Sequence, residues 1–161
     1  MAEPPVVDAS PLIYLSRAGL LELLRLAGEM VVVPEPVAQE IQVRGGADPA
    51  ARALADADWL SVASAPTAPT SIQSWDLGLG ETSVLAWAFH HPGTVAILDD
   101  LAARRCAAAH RINVRGTLGL VLVAKRRGVV PNARPLLQKL RQAGMYLSDS
   151  VLDEALSLVD E

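Results

Sequence analysis

The chain carries a single cysteine, Cys106, among 161 residues, so no disulfide can form within it. That excludes the small secreted folds that depend on disulfide frameworks and leads us to expect a reducing, cytoplasmic setting. Aromatic residues make up only 4% of the chain. Core volume must therefore come from Leu, Val and Ala, which suits helices packed on a buried sheet. The longest apolar run, Leu118 to Ala124, is far short of the roughly 20 residues a membrane-crossing helix needs. Met1 to Pro5 shows neither a basic opening nor an apolar stretch, so no export leader is expected. Acids are missing altogether from Leu101 to Ser148, which holds Arg104, Arg105, Arg111, Arg115, Lys125, Arg126, Arg127, Arg134, Lys139 and Arg141. The net charge of −4 argues against a general nucleic-acid binder. This sign asymmetry argues for a phosphate-facing surface on one part of the chain, with solvated helix faces as the plainer alternative.

What is present alternates. The length suits one domain over residues 1–161 with a substantial core. Apolar β-like runs occur at Val6-Val7, Met30 to Val33, Trp59 to Ala63 (a short edge strand), Thr94 to Leu98 and Asn113 to Arg115. Helical stretches lie between them. Ser10-Pro11 opens the first, Leu20 to Ala27 reads as an amphipathic helix, and Pro36 restarts a helix that carries Glu40. Asp48-Pro49 starts the next. Ser64 to Ser74 is rich in Pro, Ser and Thr and reads as an exposed loop. Leu77 to Glu81 opens a helix to about His90, Asp99-Asp100 starts another, and Leu118 to Arg127, a stretch from Pro131 or Pro135 through Arg141, and Asp149 to Val159 complete the set. Strands alternating with helices predict a parallel, doubly wound α/β sheet covered on both faces.

Four acidic positions stand out because ligands of such sheets bind outside the carboxyl ends of the strands. Asp8 ends the first strand, Asp99-Asp100 ends the fourth, and Glu40 and Glu81 lie on or at the start of helices that follow strands. Each has an ordinary explanation. Asp caps helices, a glutamate at a helix start is favoured by the helix dipole, and an exposed mid-helix glutamate needs no reason. As a cluster they are harder to dismiss. Two carboxylates ~4 Å apart repel by about 4 kcal/mol at an effective dielectric of ~20, against a total fold stability of ~5–15 kcal/mol. Hard divalent cations, Mg²⁺ or Mn²⁺, are the natural counterions. Other chemistries find less support. Cys106 and His110 lack further zinc ligands, His90-His91 sits at a helix end, and Gly78-Leu79-Gly80 lacks the lysine of a phosphate loop. Ser10 and Ser83 lack a nucleophile elbow. Trp75 is the best candidate to stack on a base, its plainer role being a buried loop anchor.

The stretches Val6-Val7-Asp8-Ala9-Ser10-Pro11-Leu12-Ile13, Val33 to Glu40, Leu79-Gly80-Glu81-Thr82-Ser83-Val84-Leu85-Ala86, Ile97-Leu98-Asp99-Asp100 and Gly116 to Gly119 occur in the order seen in PIN domains. The chain resembles bacterial and archaeal PIN-like proteins related to VapC-type toxins over nearly its whole length. That resemblance implies a three-layer α/β/α sandwich and an acidic Mg²⁺/Mn²⁺ site that cleaves single-stranded RNA. By position, Asp8, Glu40, Glu81 and Asp100 are the implied catalytic acids, and the metal ligands would come from Asp8, Glu81 and Asp99 or Asp100. Asp100 is the closer match at the fourth position, although Leu98 stands where relatives carry a Ser or Thr. Ser10 and Thr117 resemble supporting groups that orient acids or water. Arg104, Arg105 and the Lys125-Arg126-Arg127 cluster are candidates for the RNA backbone. Relatives often form dimers, and toxin pairs include an antitoxin protein. The rivals to an endoribonuclease are a non-catalytic PIN-like module that binds RNA or protein, and a phospho-acceptor receiver domain, which would place its acid pair after the first strand.

Overall fold

The computed structural model describes residues 2–161. Five short strands, β1 (Val6–Val7), β2 (Val31–Pro34), β3 (Leu60–Ala63), β4 (Ala96–Ile97) and β5 (Val114–Arg115), form one sheet in the order β3-β2-β1-β4-β5. Every pairing is parallel, with Val6 opposite both Val32 and Ala96. A parallel sheet is buried on both faces, which is why its central strands read as unbroken apolar runs rather than alternating ones. Both residues of β1 and of β4 are fully buried, and β2 is buried throughout. β3 lies at the sheet edge, where Ser61 and Val62 are exposed.

The helices are α1 (Ala9–Arg17), α2 (Glu35–Gln42), α3 (Pro49–Asp56), α4 (Thr70–Gln73), α5 (Leu79–His90), α6 (Leu101–Ala109), α7 (Thr117–Arg126), α8 (Arg134–Gln142) and α9 (Asp149–Ser157). They enclose the sheet as a mixed α/β sandwich: α5 packs against β1, β2 and β4 and meets α2 and α6, while α7 packs on α8 and α9. Leu12, Leu24, Ile41, Leu85, Ile97, Leu120, Leu137 and Leu156 are fully buried in one continuous core. Among the described residues no helix is long and apolar enough to cross a membrane.

Two local expectations need correction. Leu21–Leu26 is a 3-10 turn rather than an amphipathic α-helix. Gly19, at φ 70, turns the chain just before it, and Glu29 and Met30 lead straight into β2, so there is no room for a longer helix. The Ser64 to Ser74 stretch is not wholly loop. It holds the single turn α4, whose Ile72 is fully buried and pins it to the body.

The strand order places β1 beside both β2 and β4, while the chain proceeds outward from β1 to β3 before returning to β4. The switch point of the sheet therefore lies between β1 and β4. Asp8 and Asp99 follow those two strands, and the N-termini of α1 and α6 begin at the same edge.

Candidate metal and nucleic-acid site

At this edge a cleft of about 470 Å³ is lined by Asp8, Ser10, Glu40, Gly80 and Glu81, with Val43 and Leu79 among its other lining residues. β1 delivers Asp8, α2 presents Glu40 from its last turns, and α5 presents Glu81 from its first. Asp8 occupies the position before α1, where an aspartate would ordinarily cap, yet its side chain takes no capping hydrogen bond. The helix starts one residue ahead of Ser10, so the serine cannot cap it; Ser10 instead lies on the cleft wall.

Gly80 explains how the acids come together. A β-carbon built on it would stand 3.0 Å from Glu40 Oε2, 3.2 Å from Asp8 Oδ1 and 3.5 Å from Val37 Cγ2. A β-carbon there would press unusually tightly on two carboxylate oxygens, and glycine at this position relieves that crowding at the backbone of α5. The buried Ser83 hydroxyl donates to the Gly80 carbonyl at 2.6 Å and secures that turn. In the sequence this role of Gly80 shows only as a glycine inside a helix start beside Glu81, where it costs helix stability.

The electrostatics follow from the crowding. Asp8 is buried, and burial pushes its pKa from 3.8 up to about 7. The Ala9 amide opposes that shift, while the charges of Glu81, Glu40 and Asp99 add to it. Burial likewise raises Glu81, reinforced by Asp100 and Glu40 and opposed by the Gly78 amide, which donates to Glu81 Oε2 at 3.2 Å.

The paired acids after β4 divide their roles. Asp100 caps α6: its Oδ2 accepts from the Ala103 amide at 3.0 Å. That bond engages one of its two oxygens, and the Asp100 charge is also among the causes that raise Glu81 in the cleft. Asp99 is held by Thr117, whose amide and hydroxyl donate to its two oxygens, each at 2.7 Å. Thr117 thus fixes the orientation of the Asp99 carboxylate. Asp99 lines an adjoining cavity rather than the cleft of Asp8. Three of the acids therefore share one cleft and Asp99 stands next door. Among the described residues no group of three or more His, Cys, Asp or Glu side chains is gathered closely enough to hold a metal ion.

The basic candidates also divide. Arg104 and Arg105 are exposed on α6, and Arg104 Nη1 reaches the position a Gly116 β-carbon would crowd, at 3.2 Å, beside Asp99. Of the later cluster, Lys125 donates to the Pro131 carbonyl at 2.7 Å and pairs with Glu161, and Arg127 donates to the Leu26 carbonyl at 3.1 Å. Two of its three side chains are thus occupied with the fold, and Arg126 is exposed. Trp75 is neither a core anchor nor a wall of the cleft; it is 39% exposed. His91 stacks on Trp87 at 4.1 Å and bonds its carbonyl, which is a structural use.

A family model described as a PIN domain (DUF3368) matches residues 4–161. No curated protein and no solved structure matches the chain.

Proposed function

We propose, for a chain that belongs to the PIN-domain family, that the Asp8 cleft is the working end of a divalent-metal-dependent endoribonuclease acting on single-stranded RNA. The observation that carries this reading is the convergence of Asp8 and Glu40 on one point over the Gly80 backbone, with the Asp8 side chain making no capping contact. Burial pushes that carboxylate up to about 7, the charges of Glu81, Glu40 and Asp99 add to the shift, and a bound cation would relieve it. Frustration of that size is a sizeable fraction of the ~5–15 kcal/mol that holds a domain together.

The donors fit the proposed ion in chemistry. They are hard oxygens, as Mg²⁺ and Mn²⁺ prefer. In number they offer a pair rather than a closed set, and Mg²⁺ is commonly held by one or two carboxylates together with water and substrate phosphate. Asp8 and Glu40 would be that pair. A cation held there would supply a water acidified toward neutrality and positive charge against the phosphodiester. Glu81, fixed by the Gly78 amide, faces the same cleft and would orient water, while Thr117 holds Asp99 beside the adjoining cavity. Arg104 and Arg105 would hold the RNA backbone.

One observation favours a second reading, a PIN-fold module that binds RNA or a protein without cutting. Glu81, Asp99 and Asp100 all spend hydrogen bonds on the fold, and no three acids are gathered around one ion position. Taken alone, the carboxylate arrangement supports this module better than it supports a nuclease. Cleavage of single-stranded RNA by wild type and Asp8→Asn, with Mg²⁺ or Mn²⁺ and with chelator, separates the two. The nuclease reading expects cleavage that needs both Asp8 and the metal; cleavage indifferent to both, or none by the folded wild type over a panel of RNAs, refutes it.

A further inference from the structure

Beside Asp99 lies a second cavity, of about 280 Å³, that the acidic cleft does not include. Its walls include Asp99, Arg104, Leu118, Gly119, Met145 and Leu147. We propose that this cavity is a nucleobase subsite, taking one base of a single-stranded RNA whose backbone passes the acidic cleft; the proposal rests on the RNA reading above and names how the strand is held.

Size is the first argument. Pockets that bury a drug-sized ligand run to roughly 300–1,000 Å³, so this one lies just below that range and suits a single planar heterocycle better than a peptide. Composition is the second. The lining joins apolar Leu118, Met145 and the buried Leu147 to a guanidinium and a carboxylate, Arg104 and Asp99. A base presents the same division, two apolar faces with a polar edge, and RNA bases are recognised by stacking together with hydrogen bonds to that edge. Tyr146, between two of the lining residues, is 90% exposed, so a ring stands free at the same connector between α8 and α9. Base stacking on such rings is a common means of holding single strands.

Charge is the third argument. Arg104 forms no salt bridge among the described residues, although its Nη1 and Asp99 Oδ1 both lie 3.2 Å from the point a Gly116 β-carbon would occupy. The cavity also falls within the acid-free stretch from Leu101 to Ser148, apart from Asp99 and the approach of α9. A phosphate following the base would therefore meet Arg104 on the basic side of the switch point. Continuity is the fourth. Asp99 belongs to this cavity and its charge is felt at Asp8, so the two sites are close neighbours across the ends of β1 and β4.

Gly119 offers a clean way to fill the pocket. A β-carbon there meets only Arg115 Cγ at 3.5 Å, an ordinary contact, and replacing a helical glycine favours the helix. The experiment follows the ¹³C-methyl signal of Met145 by NMR while AMP, CMP, GMP and UMP are added in chelator, with Met30, outside the cavity, as the internal control. The proposal expects a saturable shift at Met145 and not at Met30. It expects all four bases to bind within about tenfold of one another, since stacking accepts every base. Gly119→Leu should abolish the shift, and Arg104→Gln should weaken all four monophosphates alike. No saturable shift at Met145, or affinities that Gly119→Leu leaves unchanged, overturns it. A concentration-dependent dimer that Gly119→Leu dissolves, with no nucleotide binding, also overturns it by assigning the pocket to a second copy of the chain. Because the readout is binding without metal, loss of the cleavage reading would leave this result standing, and the reverse holds too.

Discussion

Asp8 and Asp99 occupy matching places, each just after a central parallel strand at the switch point of one sheet, yet the fold treats them oppositely. Asp99 receives the amide and hydroxyl of Thr117, both at 2.7 Å, and so supplies the first turn of α7 with an acceptor from across the sheet. That satisfies a donor every helix start leaves open and suits the helix dipole. Asp8 precedes α1 without capping it, is buried, and faces the charges of Glu81, Glu40 and Asp99. One carboxylate stabilises the structure and the other strains it. The contrast shows that a strand-end acid is not functional by position alone; what distinguishes Asp8 is that the fold gains so little from it.

The largest expected difference is in activity. Asp8→Asn should lower RNA cleavage by more than about a hundredfold, beyond the 10–100-fold typical of losing a group that merely supports a ligand. Thr117→Val, which removes the hydroxyl bond to Asp99 and leaves the amide bond, should fall within that range; initial rates on a single-stranded RNA decide it. Equal losses for both variants would erase the distinction between the two acids.

Stability should separate them with opposite signs. The folded pKa of Asp8, about 7, lies above the ordinary 3.8. Between those values the native state holds a proton that the unfolded chain has released, so stability declines as pH rises through this window and is lowest above 7. The shift corresponds to something on the order of 4 kcal/mol. Asp8→Asn should accordingly be more stable than wild type at pH 8 in metal-free buffer, with much of the advantage gone near pH 4, as read by denaturant titration. Asp99→Ala should instead lose about 1–3 kcal/mol, the cost of orphaning the buried Thr117 amide.

The smallest effect concerns Gly80. Gly80→Ala gains helix propensity, at most about 1 kcal/mol, but pushes on Glu40 and Asp8 at 3.0 and 3.2 Å. Its melting temperature should stay near wild type while its response to Mn²⁺ shrinks, because the exposed Glu40 can swing aside and the pair then parts.

Much of this was legible in the sequence, for physical reasons. Val6-Val7 and Ala96-Ile97 announce buried parallel strands because they are apolar on both faces, and an acid next to the first and one residue past the second falls where such sheets bind ligands. Asp99 and Asp100 could not be told apart, since the choice depends on Thr117, which is distant in sequence and meets Asp99 only once β5 is in place. The commitments of Lys125 to Glu161 and of Arg127 to the Leu26 carbonyl were invisible for the same reason. A basic triplet reads as one patch until the fold assigns each member a partner. Gly80 escaped because close approach is a property of three elements together, β1, α2 and α5.

The central claim is that Asp8 is strained because a divalent cation is meant to meet it. Melting temperature against Mn²⁺ concentration, for wild type and Asp8→Asn side by side, tests that claim most directly. A ligand that binds only the folded state stabilises it by about 2.7 kcal/mol at a hundredfold excess over Kd. The account predicts a saturable rise for wild type and a much smaller one for Asp8→Asn. Equal rises, or none in wild type, would contradict it.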